Sequence, residues 1–252
     1  MKSIKLEFIC LFVSISLFSC KKETEKDQQS SHNSNTPVST TEKPQLPDII
    51  LGIDVSHFQG DINWEQIKAD QVYFAYDKAT QGDSFKDPDY FENQKAAHQV
   101  GLLHGAYHFY ISSDSPEKQA QNFLETLDYT NSDLPPVLDL EEGGIKLPLN
   151  HSKFHSDVLT WLKIVEEKLN IQPIIYTNNP FGNQYLNNPE FAKYDLWIAE
   201  YGVTKPKIPK AWEEKGWLIW QRTDKKTITG AKGNVDHDLF NPDKSFSTVI
   251  KD

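Results

Sequence analysis

The chain has 252 residues and a formal net charge of −10, with 25% charged and 38% hydrophobic residues. This composition is typical of a globular protein and excludes a multi-span membrane protein. The negative charge and the lack of a basic stripe in the sequence also argue against nucleic acid as a partner.

The first 19 residues have the pattern of a signal peptide. Two lysines precede an apolar run at residues 8–18, which is too short to span a membrane. The run ends in LFSC, and the chain turns polar at Lys21. The segment resembles a bacterial lipoprotein signal, which implies cleavage before Cys20 and a lipid on its thiol. The alternatives are a plain secretory signal and an uncleaved anchor.

The resemblance to a lipoprotein signal predicts export across the inner membrane and a lipid anchor in the cell envelope, with the outer membrane as the favoured site. Residues 20–48 are charged, rich in Ser, Thr, Asn and Pro, and predict a disordered tether. Cys10 and Cys20 are the only cysteines, so we expect no disulfide and no Cys-based metal site in the folded body at residues 49–252.

The body alternates strand and helix signals along the chain. Short β-rich apolar runs lie at residues 49–55, 72–79, 102–110, 135–140, 172–178, 196–201, 217–221 and 234–239. Helical patterns lie at residues 88–100, 116–127 and 152–169, and they thin out after residue 190. This order predicts an α/β fold, an irregular TIM-like (β/α) barrel of about eight strands with fewer helices in its second half. The alternative is an open doubly wound sheet, which would need a glycine-rich nucleotide loop after the first strand.

Acidic residues stand at four predicted strand ends. They are Asp54, Asp77, Asp139 with Glu141, and Asp236. In a parallel barrel the carboxyl ends of all strands meet at one rim, and catalytic residues gather there. We therefore expect these side chains to converge, or Asp77 to point outward and pair with a neighbour.

The D-x-E spacing of Asp139 and Glu141 has a specific chemical use. Strand alternation places both side chains on one side, with Cα atoms ~6.6 Å apart. Two carboxylates this close cannot both ionise cheaply, so the pKa of one rises and a proton stays available. An acid beside an ionised partner is the equipment for breaking a glycosidic bond. The alternatives are a helix cap or a cation site, and Glu142 is expected to be solvated.

Seven motifs then occur in a recognisable order: GIDVSHFQGDINW, KATQG, GAYHFY, PVLDLE, IIYTN, LWIAEY and GNVDHDLF. Together they resemble the family 25 glycoside hydrolases, bacterial and phage-type lysozymes that cleave peptidoglycan, over about residues 50–240. The resemblance implies an irregular barrel and hydrolysis, with retention, of the β-1,4 bond between N-acetylmuramic acid and N-acetylglucosamine. It implies peptidoglycan strands as the partner, no cofactor and no metal, and we expect a monomer.

The resemblance also implies a role for each acid. Glu141 corresponds to the general acid, and Asp139 to the carboxylate that orients the substrate acetamido group or stabilises positive charge. Asp54 and Asp236 correspond to the remaining acids of the site. The sequence leaves open whether a carboxylate or the substrate's own N-acetyl oxygen attacks the sugar.

Further substrate contacts are expected from a set of residues near strand ends: Lys78, Tyr107, Tyr176, Tyr201, Trp220 and Gln221. The alternative for the rings is that they fill the core. His57 is expected to hydrogen-bond within the site. The histidine pairs at 104/108 and 151/155 are expected to be hydrogen-bonded or solvated, because no third metal ligand follows at a recognisable spacing.

Three positions depart from the usual pattern of the family. Gln81 stands where Glu is frequent, Asp238 where Asn is frequent, and Asp77 where an aliphatic residue is usual. These departures keep a second hypothesis open, a non-catalytic peptidoglycan-binding lipoprotein on the same fold. A third is a hydrolase of another amino-sugar polymer such as chitin, since the acetamido group is common to both substrates.

Overall fold

The computed structural model describes residues 47–129 and 133–250. The predicted signal peptide, Cys20 with its lipid and almost all of the predicted tether lie outside the described residues, so these assignments and the domain boundaries stay predictions. Within the described ranges, no helix combines the length and the apolar character needed to cross a membrane.

Nine strands and five α-helices are found in the described residues. The strands are β1 Leu51–Val55, β2 Val72–Gln81, β3 Phe85–Lys86, β4 Leu103–Phe109, β5 Val137–Asp139, β6 Ile174–Asn178, β7 Asp195–Ala199, β8 Ile219–Thr227 and β9 Asn234–Phe240. The helices are α1 Trp64–Ala69, α2 Tyr90–Gln99, α3 Pro116–Thr126, α4 His151–Leu169 and α5 Asn179–Tyr185.

Eight of these strands close into a barrel. The order around it is β1-β9-β8-β7-β6-β5-β4-β2, and β1 pairs with both β9 and β2 to close the ring. The two-residue β3 only extends β2 as an antiparallel edge. The predicted irregular TIM-like barrel is thereby confirmed, and the open sheet is excluded.

One barrel strand runs against the rest. Strands β1, β2 and β4 to β8 are parallel to their neighbours in that series, whereas β9 is antiparallel to both β8 and β1. Asp236 therefore does not stand at the carboxyl end of a parallel strand, contrary to the prediction from the sequence. It lies near the start of β9, and the reversed direction brings that start to the rim where the other strands end.

The helical layer thins as expected. After α5 the only helical segments in the described chain are short 3₁₀ turns at Pro189–Lys193, Lys210–Trp212 and Phe246–Thr248. Helices α1 and α5 were not predicted, because six or seven residues are too few to show a helical period. Both start at an asparagine cap, where the Oδ1 atoms of Asn63 and Asn178 accept backbone N–H bonds.

The core has layers on both sides of the sheet. Outward side chains such as Leu138 and Ile175 pack with Phe123 and Trp161 of the helices. Inside the barrel, the rings of Phe74, Tyr76, Trp197 and Phe240 form an aromatic plug with Val137 and Ile219. Two of these plug residues, Val137 and Trp197, also line the cavity above, so the plug forms the floor of the site.

Candidate active site

A cavity of about 290 Å³ opens where the parallel strands end. All eight barrel strands or the loops after them contribute to its wall. The lining residues are Asp54, Val55, Ser56, Phe58, Gln59, Lys78, Tyr107, Phe109, Val137, Asp139, Glu141, Tyr176, Trp197, Tyr201, Gln221 and Asp236. The four acids expected at the site, and five of the six expected contact residues, are in this set.

The four acids reach the cavity by different backbone routes. Asp54 of β1 and Asp236 of β9 are partners in the antiparallel register, so they lie side by side across two strands. Asp139 is the last residue of β5, and Glu141 follows in extended conformation, with φ −147° and ψ 172°. This extension keeps the side chains of Asp139 and Glu141 on the same side. Glu142 turns away and accepts a bond from Asn178 Nδ2 at 2.9 Å.

A glycine explains how the chain leaves the site after Glu141. A Cβ atom on Gly144 would lie 2.0 Å from the backbone oxygen of Tyr110. The carbonyl oxygen of Gly144 accepts the Ser112 N–H at 2.9 Å, which fixes this close approach. The pair of glycines after the acids therefore lets the turn pack tightly against the loop after β4.

Asp139 is buried, yet its carboxyl group is incompletely hydrogen-bonded. Among the described residues its Oδ1 atom has no hydrogen-bond partner. Burial raises its pKa well above the usual range, the nearby Glu141 raises it further, and the positive charge of Lys78 opposes both. An unpartnered carboxyl oxygen in a sugar-sized cavity is ready to meet a polar group of a ligand.

Glu141 and Asp236 also hold their protons more firmly than usual. Burial raises the pKa of Glu141, with a further rise from the charge of Glu142 and a counteracting effect of Lys78. Burial, with the charges of Asp224 and Glu141, raises the pKa of Asp236 to about 6. The cluster therefore loses its protons at higher pH than isolated carboxyl groups would.

Asp54 is oriented by a hydrogen-bond relay. Gln221 Nε2 donates to Asp54 Oδ2 at 2.7 Å, while Gln221 Oε1 accepts from the hydroxyl of Tyr176 at 2.9 Å and from that of Tyr201. Two phenol donors on the oxygen fix which way the amide faces, so its N–H must point to Asp54. Burial, Asp236 and Asp238 raise the pKa of Asp54, and the Gln221 bond lowers it.

Asp238 lies deeper in the barrel and is fully buried. Neither of its oxygens has a complete hydrogen bond in the described residues, although Asp54 and the indole of Trp197 are close enough to lower its pKa. Burial dominates and raises that pKa well above the usual range, with Asp236 adding to the rise. A neutral carboxyl group has nearly the shape of an amide, so the replacement of the frequent Asn at this position keeps the local polarity.

Lys78 brings the positive charge into this acidic cavity. Its Nζ atom donates to Gln81 Oε1 at 2.6 Å and lies 4.7 Å from the ring centroid of Phe109. Burial lowers its pKa, and Asp139, Asp87 and Glu141 counteract this effect. Gln81 thus anchors the lysine as a neutral acceptor, which leaves the lysine charge available to the acids.

Trp220 does not line the cavity, so its prediction as a substrate contact is wrong. It faces outward, packs with the core between sheet and helices, and donates its Nε1–H to the Glu200 oxygen at 2.8 Å. Alternation along β8 makes this unavoidable once the adjacent Gln221 faces inward. The indole in the cavity wall belongs to Trp197, which was not predicted from the sequence, and neither were Phe109 and the 80% exposed Phe58.

Asp77 is separate from the site as well. It points outward beneath α2, where its oxygens meet Asn93 Nδ2 at 2.9 Å and His104 Nε2 at 2.6 Å. Of the two expectations for Asp77, pairing with a neighbour is the one observed. His57 likewise bonds Asp87 Oδ2 at 2.6 Å and does not line the cavity.

The other histidines of interest also lie outside the cavity lining. Both ring nitrogens of His108 are bonded, to Thr80 Oγ1 and Gln119 Oε1, and His155 Nε2 contacts the backbone oxygen of Tyr185. Within residues 47–129 and 133–250, three potential ligand atoms lie within 4.8 Å of one another only at His98, His104 and Asp133. None of these three lines the cavity.

The chain is similar to known proteins in both sequence and fold. Residues 53–231 match the family model described as "Glycosyl hydrolases family 25". Protein YegX of Escherichia coli K12 is 36% identical over 197 residues, covering 76% of this chain and 70% of that protein. Lysozyme M1 of Streptomyces globisporus is 32% identical over 201 residues, covering 76% and 68%. The crystal structure of the bacterial lysozyme from Streptomyces coelicolor matches with TM-score 0.73 and 30% identity, covering 80% of this chain and 95% of that one.

Proposed function

The chain belongs to glycoside hydrolase family 25, and from this premise we propose that it is a lysozyme of the N-acetylmuramidase type. The substrate is peptidoglycan, cleaved with retention at the β-1,4 bond between N-acetylmuramic acid and N-acetylglucosamine. The observation that carries this proposal is the pairing of Glu141 with the buried, incompletely bonded Asp139 in one cavity. Names of relatives such as Lysozyme M1 support the substrate class.

Glu141 is the general acid in this proposal. It lies at the cavity wall, it is longer than Asp139, and its pKa is raised by burial, so it keeps a proton for the leaving oxygen. As that oxygen is protonated and the bond breaks, positive charge develops on the sugar ring. Asp139, Asp54 and Asp236 surround the position where this charge forms.

Asp139 serves one of two retaining routes. In the first, its carboxylate attacks the sugar carbon and forms a covalent intermediate, for which the two carboxyl groups need a separation of ~5–5.5 Å. In the second, Asp139 accepts the acetamide N–H, and the acetamide oxygen attacks the same carbon. In both routes Glu141, now ionised, removes a proton from a water molecule. The water oxygen attacks the same sugar carbon, which releases the intermediate and leaves Glu141 protonated again.

The other lining residues are proposed to hold the glycan. Lys78, Tyr107, Tyr176, Tyr201 and Gln221 stay candidates for hydrogen bonds or stacking, and Trp197 replaces Trp220 among them. Aromatic rings offer sugars an apolar face and, in tyrosine, a polar tip. The exposed Phe58 at the edge of the cavity extends this surface outward.

We also propose that the enzyme is a lipoprotein of the cell envelope. Support comes from the apolar run at residues 8–18 followed by Cys20, and from the polar segment that separates Cys20 from the barrel. A lipid on Cys20 with a tether of this kind would hold the catalytic domain near a membrane while leaving it free to reach glycan strands.

The test is digestion of purified sacculi by the full-length protein, with mass spectrometry of the released fragments. Disaccharide muropeptides ending in reducing N-acetylmuramic acid are the expected product. Co-sedimentation without release would instead support the non-catalytic binding protein. Faster turnover of chitin oligomers than of sacculi would support the third hypothesis.

A further inference from the structure

A second cluster of ligating side chains lies at the end of the barrel opposite the cavity. His98 is in the last turn of α2, His104 is the second residue of β4, and Asp133 precedes β5. One ligand atom from each of the three lies within 4.8 Å of the other two. All three belong to the part of the fold where the parallel strands β4 and β5 begin, which is the end that contributes stability in barrels of this type.

Hydrogen bonds and ring contacts hold the side chains of this cluster together. His98 Nε2 and Asp133 Oδ1 are 2.7 Å apart, and the rings of His98 and His104 are 5.6 Å apart at 79°. His104 Nε2 lies 2.6 Å from Asp77 Oδ2, so Nδ1 is the ring nitrogen that this contact leaves available to an ion. Asp77 is itself held by Asn93 Nδ2 at 2.9 Å.

We propose that His98, His104 and Asp133 bind a divalent transition-metal ion, for which Zn²⁺ is the best match. Two imidazole nitrogens and one carboxylate are a preferred ligand set for zinc, with a water molecule as the fourth ligand. Asp77 then orients His104 from behind, as carboxylates commonly do for metal-bound histidines. No cysteine is required.

Binding an ion requires the three side chains to adjust. Bonds of about 2.0–2.1 Å around a tetrahedral ion place ligand atoms roughly 3.3 Å apart. His98 and Asp133 would have to separate slightly, and the third atom would have to move closer. The side chain of His98 is 32% exposed, whereas those of His104 and Asp133 are buried, so the ion can enter from the His98 side.

Charge also favours a cation at this place. The carboxylate of Asp77 is buried against His104, and a buried carboxylate favours a positive charge nearby. A divalent ion bound by His104 would supply such a charge. Since none of these residues lines the catalytic cavity, the ion would connect α2, β4 and the segment before β5, and it would stabilise the fold without taking part in hydrolysis.

The experiment is a titration of the full-length, metal-free protein with ZnCl₂ by calorimetry and by thermal unfolding. We expect one equivalent of zinc to bind at this cluster, and the melting temperature to rise by roughly 5–10 °C at about 100-fold excess over the Kd. His98→Gln should abolish this shift, because it removes one ligand at a half-exposed position. The matched control His151→Gln, an exposed histidine of α4, should keep it.

Wild type, His98→Gln and His151→Gln share all other potential ligands, including both cysteines. Zinc bound elsewhere therefore contributes equally to all three thermal shifts. Absence of saturable zinc binding by the wild-type protein would overturn the proposal and leave a hydrogen-bonded network of acids and histidines. An equal thermal shift in wild type and His98→Gln would overturn it as well. Circular dichroism of each variant verifies that the comparison is made between folded proteins.

Discussion

Gln221 shows how single residues give the site its order. Its amide is fixed by two tyrosine hydroxyl groups on one side and by Asp54 on the other. Lys78 has a similar role among the acids, since its charge lowers the pKa of both Asp139 and Glu141. The protonation of the cluster therefore depends on a few neighbours, and each can be tested by substitution.

Replacement of Lys78 by Met should move the alkaline limb of the pH–activity profile to higher pH. The lysine charge lowers the pKa of Glu141, so its loss raises that pKa, and the acid keeps its proton to a higher pH. The profile of initial rate against pH on sacculi measures this shift. Lys86→Met, at an exposed position on β3, is the control that should leave the profile in place. A shift toward lower pH in Lys78→Met would contradict the assignment.

Asp238→Asn should stabilise the protein at neutral pH. Burial raises the folded-state pKa of Asp238 above its unfolded value, so stability is lost as pH rises from the unfolded toward the folded pKa. Each unit of that interval costs about 1.4 kcal/mol, a penalty that an uncharged amide does not have. Thermal unfolding should show a higher melting temperature for the variant at pH 7 and no advantage near pH 4. An advantage that grows toward low pH would refute this account.

At the scale of elements, the turn after β5 determines where Glu141 stands. Strand β5 has only three residues, and the extended Glu141 passes directly into the 3₁₀ turn Glu142–Gly144. That turn is held against the loop after β4 by the close approach of Gly144 to Tyr110. The position of the proposed acid therefore depends on a glycine that makes no contact with the cavity.

Gly144→Ala should displace this turn and reduce activity together with stability. Its Cβ atom would meet the Tyr110 oxygen at 2.0 Å, and overpacking of this kind costs about 1–3 kcal/mol. Gly143→Ala is the comparison, since its Cβ atom would meet no backbone atom: its neighbours would be a ring carbon of Phe109 at 3.2 Å and Glu141 Oε1 at 3.5 Å, an ordinary contact distance. Rates on sacculi and melting temperatures compare the two. Equal effects would show that the close approach does not position Glu141.

Much of the fold follows from local patterns, and the failures have physical reasons. The alternation of strand and helix signals was sufficient for a barrel, and the D-x-E spacing was sufficient to bring two acids together. The direction of β9 was not predictable, because a period of two residues is the same for either direction. The same period shows why the prediction for Trp220 was wrong: its side chain cannot face inward when that of the adjacent Gln221 does. The cluster of His98, His104 and Asp133 was missed because its members meet only in three dimensions.

At the scale of the whole molecule, the two ends of the barrel have different tasks. The rim where parallel strands end carries the acids and the cavity, while the opposite end carries the proposed metal cluster. The proposed lipid on Cys20 and the segment up to residue 48 would add attachment to a membrane. Catalysis, stability and location would then reside in separate parts of the chain, which can be altered independently.

Cys20→Ser should release the enzyme from the membrane fraction without changing its activity. The substitution removes the proposed acceptor thiol, and residues 49–252 contain no cysteine. Fractionation of cells, with detection of the protein in membrane and soluble fractions, measures the change. Cys10→Ser is the control and should leave the protein with the membranes. An unchanged distribution of Cys20→Ser would reject the lipid anchor.

The most direct test of the proposed mechanism is the rate of muropeptide release from sacculi by Glu141→Gln beside Glu142→Gln. The two glutamates are neighbours, but only Glu141 lines the cavity, whereas Glu142 is exposed and contacts Asn178. Loss of a general acid lowers the rate by roughly 100- to 10,000-fold. We expect a loss in this range for Glu141→Gln and a nearly unchanged rate for Glu142→Gln, with both variants folded. Substantial activity in Glu141→Gln would contradict its role as the acid.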